Sequence, residues 1–252
     1  MELELAWGQH DVPDADHSIL SEGRQVETET LEKLLTLCDE YQIPISFDVV
    51  GHLLETSCDG IHDGPHETGW FAADPGTDVD SDPLFYAPDL VKMIRDADVD
   101  HEICTHSYSH ILGDNIDPVV LAWELQTVNK LWKSYDLPSP ISYVPPRHEL
   151  PHIDVLRNNG IKTVRQTIDE VSVSGGPLRS YVERHRCSIP DVQPEKRDGV
   201  IETYSTPYPS LSSPALPNGQ RSEPRSLQVL PVHLRQWLHR RWLITQTKSA
   251  AK

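Results

Sequence analysis

The 252-residue sequence predicts an α/β fold in which parallel strands are joined by crossover helices. Three observations carry that prediction. Short apolar runs alternate with helix-period segments from residue 27 to about 170. Most of the apolar runs close on Gly, Pro or a polar cluster, the punctuation expected of buried strands. The length suits one domain with a sizeable core. The alternation fits either a barrel or a doubly wound sheet, and in both the chemistry gathers where strands end and loops begin.

In chain order, Glu2 and Glu4 alternate with Leu3 and Leu5, a strand pattern that turns both carboxylates to one face. Residues 27 to 42 carry Leu31, Leu34, Leu35, Leu37 and Cys38 at helical spacing. Residues 43 to 50 form an apolar strand that contains Asp48 and stops at Gly51. Residues 57 to 83, rich in Asp, Gly, Pro and His, make a long loop, and loops of that length inside a domain are usually functional. Pro88 opens a helix with Leu90, Val91, Met93 and Ile94 on its apolar face. A strand at 101 to 105 runs into His106. A helix at 117 to 135 has Pro118 in its first turn. A strand at 141 to 144 is closed by Pro145-Pro146-Arg147. A helix at 151 to 159, capped by Gly160, leads to a strand at 161 to 164.

Residues 1 to 204 are expected to form the main domain. Residues 205 to 252 are expected to form a Ser/Pro-rich loop and then a basic amphipathic helix at 230 to 244 that packs on it. The charge divides accordingly: +6 in the tail and −23 in the rest, for a net −17. Such acidity disfavours nucleic acid as a partner. Asp exceeds Glu and Lys is scarce beside Arg. That balance suits concentrated salt, where the Debye length falls to roughly 3 Å at 1 M, so a halophilic source is expected. No apolar stretch reaches eighteen residues, and the acidic N-terminal segment lacks the basic and apolar regions of a signal peptide. A cytoplasmic protein without stable membrane insertion is the expectation; the oligomeric state is left open. The four cysteines show no CxxC spacing and no disulfide framework, and Cys104 reads as core packing.

The candidate chemistry lies in His106 and His110, four residues apart after a strand. At the start of a helix they would share a face and reach one ion at about 2.0–2.1 Å. A catalytic zinc site commonly adds a third protein ligand, so Glu2 or Glu4 would complete the set and the other would serve as general base. Ser107 and Ser109 would cap the helix or steady the imidazoles. Arg147, held extended by two prolines, would keep a carboxylate ionised and oriented.

These stretches resemble motifs of the polysaccharide deacetylases with NodB homology, carbohydrate esterase family four. Thr105-His106-Ser107-Tyr108-Ser109-His110 resembles the H-S/T-x-x-H motif, and Tyr143-Val144-Pro145-Pro146-Arg147 the motif that places an Arg beside prolines. Glu2-Leu3-Glu4-Leu5-Ala6-Trp7-Gly8 is similar to the D-x-E-L-x-W-G form of the first motif. Val49-Val50-Gly51-His52-Leu53, the run from Pro83 to Leu90 and Gly160-Ile161-Lys162-Thr163-Val164-Arg165 are also similar to that subgroup, and the order holds over residues 2 to 170. The resemblance implies an irregular (β/α)7 barrel, incomplete in this chain. It implies zinc or another divalent ion on Glu4, His106 and His110, with Glu2 as base and Arg147 orienting it. The implied reaction removes an N- or O-acetyl group from a sugar in a glycan or its precursor. A metal-retaining glycan-binding relic and a hydrolase of a non-sugar amide such as a cyclic ureide are the alternatives.

This sequence departs from the family at several points. Glu2 stands where the family has Asp. Met1 directly precedes it, so a shortened first strand is expected. No late Leu-x-x-His strand is found for the general acid, which implies loss of the final strand. Asp169 is only a weak match to the fourth motif, and Ile45-Ser46-Phe47-Asp48, although similar to T-F-D, fits the second strand better.

Overall fold

Short apolar runs joined by helices that cross back form a mostly parallel sheet. The computed structural model describes residues 1–12, 17–113, 115–167 and 193–205, all within the first of the two units into which the chain divides, Met1–Tyr208. Among the described residues, seven strands pair in one sheet: β1 (Glu2–Leu3), β2 (Ser46–Val49), β3 (Glu102–Thr105), β4 (Ser142–Tyr143), β5 (Thr163–Thr167), β6 (Glu195–Arg197) and β7 (Val200–Ser205). Their order is β1-β2-β3-β4-β5-β7-β6. All pairings are parallel except β6 with β7. The α/β class expected from the alternation is therefore the class observed.

The sheet curls on itself. Arg165 on β5 donates to Glu2 on β1 at 2.5 Å and lies 3.0 Å from Asp48 on β2. Strands lie about 4.8 Å apart, so in a flat sheet β1 and β5 would be separated by about 19 Å. Only a barrel-like curl brings them within one side chain. Among the described residues, β1 and β6 remain the two edges, and no backbone pairing closes the ring.

Among the described residues, four α-helices cross between strands: α1 (Gln25–Tyr41), α2 (Pro88–Arg95), α3 (Pro118–Ser134) and α4 (Ile153–Asn158). The prolines sit at helix starts, where their missing N–H costs nothing, and Asp117 caps α3 by accepting from the Val119 N–H. Gly160 ends the α4 turn at φ +95°, a conformation open to glycine. One apolar cluster packs α1, α2 and α3 on β2 around Trp7, Phe47, Leu90 and Trp132; a second packs α3 and α4 on β4 and β5 around Leu125, Tyr143 and Leu156. Residues 55 to 87 form no helix or named strand, as their composition predicts.

One expectation is corrected. Residues 106 to 113 are not helical, so the histidines do not share a helix face. The hairpin of β6 and β7 was not anticipated, although Asp198-Gly199 between the two strands is a strong short-range hairpin signal. The Ser/Pro segment from 206 on, the basic helix at 230 to 244 and Asp169 lie outside the described residues. No helix among the described residues is long and apolar enough to cross a membrane.

Candidate metal centre

The first strand delivers Glu4. The chain leaves β1 through Glu4 into a 3-10 turn, Leu5–Gln9, whose Trp7 is fully buried and donates its indole N–H to Phe85 O at 3.1 Å. Gly8 has a local reason: a Cβ built there would collide with Glu4 Oε2. The side chain absent at residue 8 is thus the space the Glu4 carboxylate occupies.

The third strand delivers the histidines. After Thr105 the backbone turns through left-handed Ser107 (φ 64°) and His110 (φ 56°), each at a cost of about 1–2 kcal/mol. Glu124 on α3, fully buried, compensates. It accepts from the N–H groups of Tyr108 (2.6 Å) and Ser109 (2.8 Å), and from Ser109 Oγ (2.6 Å). Its other partner is His66 Nε2, 2.7 Å away. Ser107 Oγ accepts from the Ile111 N–H at 2.9 Å. These bonds satisfy donors that a helix would have satisfied, which is why the segment holds a tight turn instead. The two serines therefore brace the turn.

The turn brings His106 and His110 beside Glu4, with one donor atom from each within 4.8 Å of the others. His110 Nε2 lies 3.3 Å from Glu4 Oε2. His106 Nδ1 lies 2.7 Å from Val144 O. A carbonyl only accepts, so Nδ1 carries the proton and Nε2 keeps its lone pair. Burial, with His110 alongside, pushes His106 down to about 4, so the ring is neutral at pH 7. Burial would raise Glu4, but the hydrogen bond and charge of His110 outweigh it and hold the carboxyl below its ordinary value. A neutral imidazole and an ionised carboxylate are the protonation states a metal needs.

Glu2 and Arg147 are placed differently from the expectation. The guanidinium beside Glu2 is Arg165. Arg147, expected there, donates instead to Asp11 at 2.6 Å and stays 40% exposed. The left-handed backbone at Arg147 (φ 49°) and His148 (φ 62°) accompanies this different course of the side chain. Asp48 is fully buried, shares Arg165 with Glu2 and accepts the Cys104 S–H at 2.9 Å.

Sequence reasoning missed three residues. Arg165 lay in a stretch noted only for its similarity. Glu124 breaks the apolar stripe of Val120, Leu121, Leu125 and Val128, and a lone carboxylate in a buried stripe was the available signal. His10 is buried, its Nδ1 2.8 Å from Trp7 O and its ring centroid 6.4 Å from that of His110. It joins Asp11 and His110 in a further group of close donor atoms.

A second cluster lies on the far side of Trp7, whose ring packs 4.3 Å from that of His52 and 5.0 Å from that of His10. It comprises His52, Cys58, His62 and Asp74. Burial would raise Asp74, but the His52 and His62 rings and the Gly76 N–H hold it well below the carboxylate range.

No family model matches the sequence, and no curated protein does. Solved structures do. A putative polysaccharide deacetylase from Mycobacterium smegmatis is 16% identical, with a TM-score of 0.43 over 74% of this chain and 52% of its own. A CE4 family pseudoenzyme from Bacillus anthracis is 16% identical, with a TM-score of 0.38 over 54% of this chain and 38% of its own. A family 4 acetyl xylan esterase from Clostridium thermocellum, in complex with a cobalt ion, is 16% identical, with a TM-score of 0.35 over 65% and 63%. The chain covers less than two thirds of each of them.

Proposed function

We propose that the chain is a metal-dependent hydrolase of the polysaccharide deacetylase type, removing acetyl groups from N- or O-acetylated sugars. The observation that carries the reading is the convergence of Glu4, His106 and His110 on one strand-end rim, with the His106 ring neutral and the Glu4 carboxyl held below its ordinary value. The fit to a metal rests on the donor set. His106 has its second nitrogen fixed by Val144 O, and His110 Nδ1 is buried without a hydrogen-bond partner. Glu4 and the two histidines would hold zinc or another divalent ion. Such an ion supplies Lewis acidity toward an acyl carbonyl and toward water.

The protein groups do the rest. Glu2 is the general base that takes a proton from the attacking water; Arg165 engages its Oε1, and its carboxyl lies within hydrogen-bond reach of Glu4. Arg165 holds Glu2 and Asp48 in one ion-pair group, so it positions the base and offsets two negative charges. His10 and Trp7 wall the site and exclude water from its buried side.

The test is acetate release from N-acetylglucosamine oligomers and acetylated xylan, with and without chelator. Chelator-sensitive release that falls at least about 10²-fold in Glu2→Gln supports the reading, since general bases contribute about 10²–10⁴-fold. A bound divalent ion with no release from any acetylated sugar sinks the enzyme reading and leaves a glycan-binding protein. Release of ammonia or urea-type products from cyclic ureides in place of acetate would move the substrate class.

A further inference from the structure

We propose that His52, Cys58, His62 and Asp74 form a second metal site, which takes a zinc-like divalent ion and staples the 55–87 loop to the end of β2. This stands independently of the proposed function, because it shares no ligand with the first site.

The donor set is mixed N₂SO, which suits zinc and excludes magnesium or calcium. All four donor atoms lie within 4.8 Å of one another. Spokes of 2.0–2.3 Å in a tetrahedron give edges of about 3.3–3.8 Å. Cys58 Sγ to His62 Nε2 is 3.5 Å, and His52 Nε2 to Asp74 Oδ2 is 3.2 Å. His62 Nε2 to Asp74 Oδ2, at 2.7 Å, is a hydrogen bond in the metal-free geometry and needs to open by about half an ångström.

A second observation points to a ligand. His52 is fully buried, and neither ring nitrogen makes a hydrogen bond. Its Nε2 lies close to Asp74 Oδ2 but without the alignment of a hydrogen bond. A buried imidazole left this way is costly, and a metal bond to Nε2 would satisfy that nitrogen.

The surroundings already orient the ligands, as partners of a metal site do. Tyr86 Oη (2.8 Å) and the Gly76 N–H (3.0 Å) donate to Asp74 Oδ1, which leaves Oδ2 to the cluster. The Gly60 N–H donates to Cys58 Sγ at 3.3 Å, which fixes the position of the sulfur. Tyr108 Oη lies 3.5 Å from His62 Nδ1. Gly60 (φ 74°) and Gly76 (φ 63°) let two stretches of the loop touch: a Cβ on Gly76 would sit 3.1 Å from Asp59 O. The Cys58 N–H donates to Thr77 O at 2.9 Å, and Ser57 bridges Asp78. The backbone thus brings three loop ligands to a fourth on the 3-10 turn Gly51–Leu54.

The experiment uses the full chain, loaded with zinc and then with cobalt(II). Elemental analysis after dialysis is expected to give two ions per chain for the native protein and one for the double variant His106→Ala/His110→Ala. Cobalt-loaded native protein is expected to show a thiolate-to-cobalt charge-transfer band. That band persists in the double variant and disappears in Cys58→Ser, with Asp74→Asn weakening retention of the same ion at least tenfold. The spectrum of the native protein needs no variant to fold. Bound cobalt without a thiolate band overturns the proposal, as does failure of the native protein to retain any ion. One retained ion that carries the band overturns the first metal site and leaves this one standing.

Discussion

The Glu4–His106–His110 cluster and the His52–Cys58–His62–Asp74 cluster share ligand chemistry but differ in scaffolding. The first hangs from strand exits: Glu4 follows β1 and His106 follows β3 directly. Its ligands inherit their positions from sheet pairing and from the Glu124 brace. The second draws three of its four ligands from a loop without regular structure, held by glycine turns and by hydrogen bonds among the ligands themselves. A rim site can be fully formed before an ion arrives, as catalysis requires. A loop site gains stability from the ion, as structural zinc sites do.

The largest effect separating them is expected at His106. His106→Ala should lower kcat/KM by about 10³-fold, since metal polarisation is worth several kcal/mol. Its Tm should stay within a few degrees of native. Cys58→Ser should do the reverse: a loss of about 3 kcal/mol in urea unfolding, the stabilisation from a ligand present near 100 times its Kd, with turnover per folded molecule within about twofold. A Cys58→Ser protein that keeps its stability but loses turnover would break the comparison.

Glu124→Gln should strike both properties. Its buried carboxylate organises four donors, and the change should cost about 2–3 kcal/mol and loosen the His106–His110 turn, read by urea unfolding and kcat/KM together. Gly8→Ala should touch only the rim site. The new methyl group displaces the Glu4 carboxylate and should weaken metal affinity about 10- to 100-fold, measured by competition with a chromogenic chelator. Arg147→Ala should do least, within about 1 kcal/mol in unfolding and twofold in turnover, because its exposed pair with Asp11 is screened by water. A larger loss of turnover would return Arg147 to the site.

The same contrast explains what could be read from the sequence. Strand exits are marked by periodicity, so the order of elements through β5 and the place of His106 just past a strand end follow from apolar spacing, whereas the choice of Glu4 over Glu2 rests on the motif resemblance alone. The turn at 106 to 110 follows from neither, because it depends on a carboxylate fourteen residues beyond the second histidine, on another element. The partner of Glu2 was equally hidden. Arg147 lies in the 3-10 turn after β4 and Arg165 within β5, and only the curl of the sheet decides which one faces β1. The loop cluster left no periodic trace, since Cys58, His62 and Asp74 meet through turns set by Gly60 and Gly76.

The bond between Glu2 and Arg165 also sets a timetable. It spans 163 residues of chain. At synthesis rates of about 5–20 residues per second, β1 emerges roughly ten to thirty seconds before its cross-brace exists. Through that interval the carboxylates of Glu2 and Asp48 lack their shared cation, and one edge of the young sheet is open. Glu2 is therefore braced only once residue 165 has been made, and a nascent chain stalled before that point would carry Glu4, His106 and His110 without the Glu2–Arg165 bond.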